Sequence, residues 1–426
     1  MIRRFSYAFC AMATLCALTT QSRSQALDVI EQANRYTIKI TTAVDYPFGS
    51  DKKGTSRGSG FLVDKQRGWF LTNAHVASKS PSTIRASFKD RPYVPIEKIY
   101  VDNHLDLAVI KMDPAKIPST AEEAKLKCDG EPAAGRAVIA YGHPWGLDFT
   151  ATRGIISGTK PRDGEEKLQT DAALNPGNSG GALIDNETGL ILGVNSSGFV
   201  RSVAEGLNFA VPARLACRIL DLLKEGKNPA PPTLPIEFAT TTRDRELVIA
   251  QVRGDWTGKL MPGDRILAVN GDDGARFGSR VISHMRGQTS ISMKVRRGEG
   301  TEDVQLNVPA ALDEVKRAGV HISGMVVGRS TVTGYDPSVM WVHFVDDAST
   351  AEQSQIVEGD QLVSVNGTAV RNLSEVLAAF KTAEGKEVEV IVRRPRYTLI
   401  SGRFEHYVRT LDVKDVFEVN ENGKSR

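Results

Sequence analysis

Asp171-Ala172-Ala173-Leu174-Asn175-Pro176-Gly177-Asn178-Ser179-Gly180-Gly181 sets one serine among three glycines, just after a proline that ends any regular element. Glycine admits positive φ and close backbone approach. A loop of this kind can aim several N–H groups at one point, which is how a developing oxyanion is held beside a nucleophilic hydroxyl. Taken alone, the stretch reads equally well as a glycine–serine surface turn. It also fits the Gly-x-Ser-x-Gly elbow of α/β-hydrolases. That fold needs a buried strand directly before the serine, with the acid and histidine after it. Here Asn175-Pro176 precedes the serine and helix–strand alternation is missing, so the elbow is set aside.

The stretches upstream decide between these readings. Leu71-Thr72-Asn73-Ala74-His75-Val76 follows the strand-like Gly68-Trp69-Phe70, and Asn103-His104-Leu105-Asp106 runs into the apolar Leu107-Ala108-Val109-Ile110. A serine hydroxyl is a weak nucleophile that needs a base, and the base needs an orienting acid. The order His75, Asp106, Ser179 is that of the chymotrypsin-like double barrel. Asp102 lacks the following Leu-Ala-Val run, and His104 lacks the strand-to-turn setting of His75; His104 reads as a surface histidine. Thr-Asn-Ala-His, Asp-Leu-Ala-Val and Gly-Asn-Ser-Gly-Gly together resemble the HtrA/DegP family of serine proteases.

The resemblance implies a mainly β fold, a chymotrypsin-like double β-barrel followed by two PDZ-like α+β domains. It implies His75, Asp106 and Ser179 as a catalytic triad. The oxyanion hole would span Gly177, Asn178 and Ser179, with the N–H groups of Gly177 and Ser179 as donors. The residue six before the nucleophile, Ala173, would form the base of the substrate pocket, with Asn195, Ser196, Leu207 and Phe209 as walls. Such a pocket is neutral, which favours small aliphatic residues, although Glu205 is close in sequence. His143, in Tyr141-Gly142-His143-Pro144-Trp145-Gly146, stands where the family has a Gly-x-Pro-x-Gly turn and reads as structural or as a cleft wall.

Composition sets the outer bounds. The 426 residues suffice for about three domains. With 41% hydrophobic and 25% charged residues, the chain has the make-up of a soluble globular protein. A net charge of +3, with no concentrated basic stripe, argues against nucleic acid as a partner. The histidines are scattered without metal-ligand spacing, so neither a metal nor a cofactor is expected. Met1-Ile2-Arg3-Arg4 is basic, Ala8 to Leu18 is apolar, and Ser24-Gln25-Ala26 suits a cleavage site, so residues 1–26 read as a signal peptide. Export follows, with the periplasm as the expected compartment and a soluble mature protein. Cys10 and Cys16 leave with the signal. Cys128 and Cys217 remain, as a disulfide or as two buried thiols.

In order, residues 27–226 read as the protease domain and 227–233 as a proline-stiffened linker. Tyr46 to Gly60 reads as a long mobile loop. A helix after Pro212, with Leu215, Ile219 and Leu222 on one face, is stopped by Gly226. Pro262-Gly263-Asp264-Arg265-Ile266-Leu267-Ala268-Val269-Asn270-Gly271 recurs as Glu358-Gly359-Asp360-Gln361-Leu362-Val363-Ser364-Val365-Asn366-Gly367. The recurrence marks two PDZ-like domains, at about 234–308 and 318–415, before a tail at 416–426. A PDZ domain captures an extended C-terminal peptide by adding it to a sheet edge. The second copy offers Val320, His321 and Ile322 for this, while the first has Pro235 where a loop N–H is needed. The resemblance implies unfolded or misfolded proteins as substrates, C-terminal peptides as PDZ partners, and a homotrimer or larger homo-oligomer. The alternative function is a chaperone or peptide-binding scaffold with little proteolysis.

Overall fold

A computed structural model describes residues 28–49, 51–143, 149–162, 165–198, 207–232, 234–239, 247–273, 278–309, 318–330, 338–397 and 402–423. The expected signal segment lies outside these residues. Among them, no helix is long and apolar enough to cross a membrane.

Short β-prone runs broken by turn residues close into two barrels. The first comprises β1 (Thr37–Val44), β2 (Gly54–Asp64), β3 (Trp69–Thr72), β4 (Thr83–Phe88), β5 (Val94–Asp102) and β6 (Leu107–Lys111), joined in the order β1-β2-β3-β6-β5-β4. The second comprises β7 (Ala137–Gly142), β8 (Thr150–Arg162), β9 (Glu165–Thr170), β10 (Ala182–Asp185), β11 (Ile191–Gly198) and β12 (Asn208–Pro212), in the order β10-β11-β12-β9-β8-β7. Ile38, Ile40, Phe61, Leu71 and Val109 fill the first barrel, while Val138, Ile156, Leu168 and Leu183 fill the second. Closure leaves no open sheet edge in either.

Helix α1 (Ala213–Lys224) starts just after Pro212 and buries Leu215 and Ile219 in the barrel core, while Leu222 is buried on the side that meets Gly287. Gly226, at φ +67°, follows its end as expected of a glycine terminator. Cys217 on α1 is bonded to Cys128, so the two thiols form a disulfide that ties the segment before β7 to the helix.

Module 1 is a sheet of β13 (Ile236–Phe238), β14 (Leu247–Val252), β15 (Arg265–Val269), β16 (Ser290–Arg297) and β17 (Gly300–Asn307), in that order, with helix α2 (Gly278–Met285). Module 2 contains β18 (Gly319–Ile322), β19 (Met325–Gly328), β20 (Met340–Val345), β21 (Gln361–Val365), β22 (Thr368–Ala369), β23 (Glu387–Tyr397), β24 (Gly402–Asp412) and β25 (Phe417–Val419), with helix α3 (Leu373–Lys381). Its sheet runs β24-β23-β21-β20-β19-β18-β25, and β22 pairs with β21.

The repeated sequence has a shared physical cause. Asp264 accepts its own turn's Met261 N–H at 2.9 Å and the Arg297 guanidinium at 2.7 and 2.9 Å. Asp360 accepts the Val357 N–H at 3.0 Å and the Arg394 guanidinium at 2.7 and 2.9 Å. Asn270 and Asn366, both at positive φ, each take a backbone N–H of the next long strand, from Ser292 and Glu389, at 2.9 Å. Gly-Asp and Asn-Gly therefore bracket β15 and β21 by the same bonds.

Three expectations need correction. The stretch 416–426 is not wholly a tail beyond module 2, because Phe417–Val419 forms β25 of that module's sheet. The stretch 46–60 is not one long loop, because β2 begins at Gly54 and Phe48 is fully buried. Nor do Val320, His321 and Ile322 offer an open edge. β18 pairs with β19 along one side and with β25 along the other, His321 standing opposite Phe417. The chain's own strand fills the position that an added peptide would take.

Candidate active site

His75 is placed by a single helical turn, Ala74–Ala77, directly after β3. Val76 and Ala77 are buried, and Thr42 Oγ1 donates to Val76 O at 2.7 Å, which leaves the His75 side chain half exposed. Asp106 sits between β5 and β6 at φ +58°, a left-handed conformation uncommon outside glycine. Three local contacts hold it there. Asn73 Nδ2 donates to Asp106 O at 2.9 Å, and the Asp102 carboxylate accepts the N–H groups of His104 and Leu105 at 3.0 and 2.9 Å.

The Asp106 carboxylate lies 2.9 and 3.0 Å from His75 Nδ1 and accepts the His75 N–H at 3.1 Å. Ser196 Oγ, from β11 of the second barrel, donates to Asp106 Oδ2 at 2.7 Å. Burial by itself would raise the Asp106 carboxyl. The His75 ring, the Ser196 hydroxyl and the His75 N–H outweigh it and leave the group below the ordinary carboxylate range. An ionised carboxylate can only accept, so Nδ1 carries the proton and Nε2 keeps a lone pair for a base.

Ser179 stands in the loop between β9 and β10 of the second barrel, whereas His75 follows β3 of the first. Ser59 N–H donates to Ser179 O, and Ser59 Oγ donates to Gly177 O, each at 2.8 Å. Ser59 Oγ also accepts the His143 N–H at 2.8 Å, so the buried His143 serves as a wall of this loop. Gly180 donates to Asn195 O at 2.8 Å and has φ +82°. A Cβ there would fall 2.1 Å from Ser59 O and 2.2 Å from Thr72 Oγ1, so only glycine fits the seam. Gly177 has φ +106°, while the Asn178 N–H is taken by Asn175 O at 2.9 Å. Among the described residues, the N–H groups of Gly177 and Ser179 have no hydrogen-bond acceptor, which leaves two donors flanking Asn178. The Ser179 hydroxyl donates to Ser196 O at 2.6 Å.

The other residues singled out from sequence are spread around this centre. Ala173 is exposed, and its carbonyl accepts from Thr152 Oγ1 at 2.7 Å. Asn195 is buried, and its amide donates to Ala182 O at 3.0 Å and Tyr141 O at 3.4 Å, so it braces β10 against its neighbours. Leu207 is half-buried and Phe209 is buried on β12. Glu205 lies outside the described residues. His104 is exposed. Sequence reasoning missed Ser59, the bond from Ser196 to the acid, and the support that Asp102 gives the acid's loop. Ser59 had a faint signal in its flanking glycines, Gly58 and Gly60.

The sequence model of the trypsin-like peptidase domain matches residues 58–194, which contain Ser59, His75, Asp106 and Ser179. That of the PDZ domain matches residues 342–394 in module 2. A probable periplasmic serine endoprotease, DegP-like, from Chlamydia pneumoniae is 30% identical over 376 residues, 80% of this chain and 74% of that protein. The chain belongs to the HtrA/DegP family of serine proteases. A DegP-like relative from Halomonas elongata is also 30% identical, over 366 residues that make up 77% of this chain and 75% of its own. The solved HtrA-type protease AlgW with a tripeptide is 28% identical, with a TM-score of 0.52 over 67% of this chain and 96% of that one. The chain is thus an HtrA-type serine endopeptidase, with two six-stranded barrels and a PDZ domain.

Proposed function

We propose that this HtrA-family protease is exported, acts without ATP on unfolded or damaged proteins, and cleaves them with His75, Asp106 and Ser179. The observation that carries the reading is the His75 Nδ1 contact to a carboxylate braced on its other side by Ser196. His75 takes the Ser179 proton as the hydroxyl attacks, then returns it to the leaving amine. Asp106 keeps the ring in the required tautomer and stabilises its charged form. The N–H groups of Gly177 and Ser179 receive the developing oxyanion. In the resting arrangement the hydroxyl points at Ser196 O, so attack begins with its rotation toward Nε2. A substrate N–H that claimed the Ser196 carbonyl would release it.

The same reading divides the chain into a protease domain at 27–226 and PDZ-like domains at 234–308 and from 318 through β25, which closes the second module's sheet. It places the enzyme in the periplasm, assigns C-terminal peptides to the PDZ-like domains at a site other than the covered β18 edge, and expects a trimer or larger homo-oligomer. Incubation of the full chain with reduced casein tests it. Ser179→Ala, His75→Ala and Asp106→Asn each lower cleavage by several orders of magnitude, with losses far from additive. Near-normal cleavage by S179A overturns the triad. Casein bound but uncut by the wild type makes the chain a holding protein instead.

A further inference from the structure

Arg286 is fully buried, and the triad reading gives it no task. It follows α2 in module 1, where Val281 and Met285 anchor the helix in that module's core. Its guanidinium leaves the module and enters the first barrel. Nη2 lies 2.6 Å from Asp102 Oδ2, a charge contact whose angle falls short of an aligned hydrogen bond. Nη1 donates to Tyr100 Oη at 3.1 Å and to Pro229 O. Tyr100 donates in turn to Asp102 Oδ2 at 2.9 Å.

The opposite oxygen, Asp102 Oδ1, holds the His104 and Leu105 N–H groups. The next residue is Asp106. Arg286 is itself fixed on the protease side, because Arg218 of α1 donates to Arg286 O at 3.2 Å through Nε and 2.7 Å through Nη2. Gly287 seats the same chain against Leu222, where a Cβ would fall 2.3 Å from Leu222 Cδ2.

A buried carboxylate stripped of its cation turns toward water or relaxes its surroundings. Here that would cost the two N–H groups their acceptor and release a loop held at positive φ. We propose that Arg286 is a positioning residue for the cleavage reaction. Through Asp102 it holds residues 103–106, and so sets the angle at which Asp106 meets His75. The inference rests on the triad reading. It makes module 1 part of the catalytic geometry, so that moving module 1 off the barrel withdraws support from the acid.

The test compares full-length R286Q, R286K and D102N with wild type, D106N and S179A. It uses steady-state cleavage of fluorogenic casein and the rate at which a small fluorophosphonate labels Ser179. R286Q and D102N lower kcat about 10- to 100-fold, the scale of a misplaced catalytic group, with KM within about twofold of wild type. Labelling falls in parallel, and R286K, which restores the charge with a shorter reach, is intermediate. Wild-type kcat in folded R286Q or D102N overturns the inference. If R286Q fails to fold, R286K decides: a folded R286K with lowered kcat at unchanged KM supports the role, and one with wild-type kcat overturns it. Wild-type activity in D106N would instead overturn the triad reading, so the two failures are distinguishable.

Discussion

Module 1 meets the first barrel through a buried charge, and module 2 meets it through rings. The Arg286 guanidinium reaches the support of the loop that carries Asp106. Module 2 receives Phe48 from the protease side. That ring stacks on His343 with centroids 4.1 Å apart and lies against Gly319 and Gly328, which face each other across β18 and β19. Tyr46 meets His321 and Phe417 edge-on, and His321 stacks on Phe417. The Phe48 N–H donates to Ser80 Oγ at 2.8 Å, and Asp51 gathers Ser78 Oγ, Lys79 N–H and Ser80 Oγ at 2.6, 3.0 and 2.8 Å. Those residues directly follow the turn that carries His75. Module 1 therefore bears on the segment that carries Asp106 and module 2 on the segment that carries His75, by different kinds of force. A buried ion pair demands geometry and is poorly screened by salt, whereas a ring stack depends on area and on whether the histidine is neutral.

The sharpest way to break the symmetry is Phe48→Ala. It empties a fully buried aromatic site, so the loss of stability is about 3–5 kcal/mol. Denaturant unfolding reads the loss, and hydrogen exchange should place it in β18–β20. Fluorophosphonate labelling of Ser179 should change less than in R286Q. An unchanged unfolding midpoint would show that the rings contribute nothing to docking.

Acid gives the next largest effect. Burial pushes the His343 imidazole down to about 4, against the opposing pull of the Arg329 carbonyl that its Nε2–H meets at 2.7 Å. The folded value lies below the ordinary 6.5, so the stabilisation is complete above that pH. It is lost as pH falls from about 6.5 toward 4, by up to about 3 kcal/mol. Module 2 should loosen across this window, as read by exchange of the β18–β20 amides. His343→Phe, which keeps the stack and cannot charge, should flatten the response. A slope that survives in H343F assigns the sensitivity to other groups.

The smallest effect belongs to Lys53. Its ammonium meets Asp346 at 2.6 Å and lies 5.4 Å from the Phe344 ring, but the pair is largely exposed. Lys53→Ala should cost less than about 1 kcal/mol, and the cost should shrink further in high salt. A larger loss would make charge as important to module 2 as it is to module 1.

What could be read from the sequence was what neighbours in the chain decide. The strand-like Gly68-Trp69-Phe70 and the apolar Leu107-Ala108-Val109-Ile110 fall on β3 and β6, because an apolar run and its flanking turn residues are local signals. In the second barrel β8 and β9 were not legible, since Thr150–Arg162 and Glu165–Thr170 interleave Thr, Arg, Lys and Glu among few apolar residues, although the two pair as neighbours in the chain. The pairing of His75 with Asp106 could be anticipated because each residue type has a chemical reason to be there. Ser196, Asp102 and Arg286 could not, because their importance comes from contacts across barrels or modules. The closed edge of module 2 was hidden for the same reason. β25 and β18 are separated by the whole module, and nothing in Phe417-Glu418-Val419 marks it as the strand that covers Val320.

The Arg286 clamp also has a consequence in time. Arg286 follows its partner Tyr100 by 186 residues, so both barrels leave the ribosome well before the side chain that props the acid's loop. A newly made protease domain holds His75, Asp106 and Ser179 while Asp102 still lacks its cation. Chain order thereby acts as a delay, and full cutting power arrives only after module 1 has folded and seated on α1. On the proposed reading the growing chain is itself the kind of substrate this enzyme takes, and the delay keeps a half-made copy from cutting its neighbours.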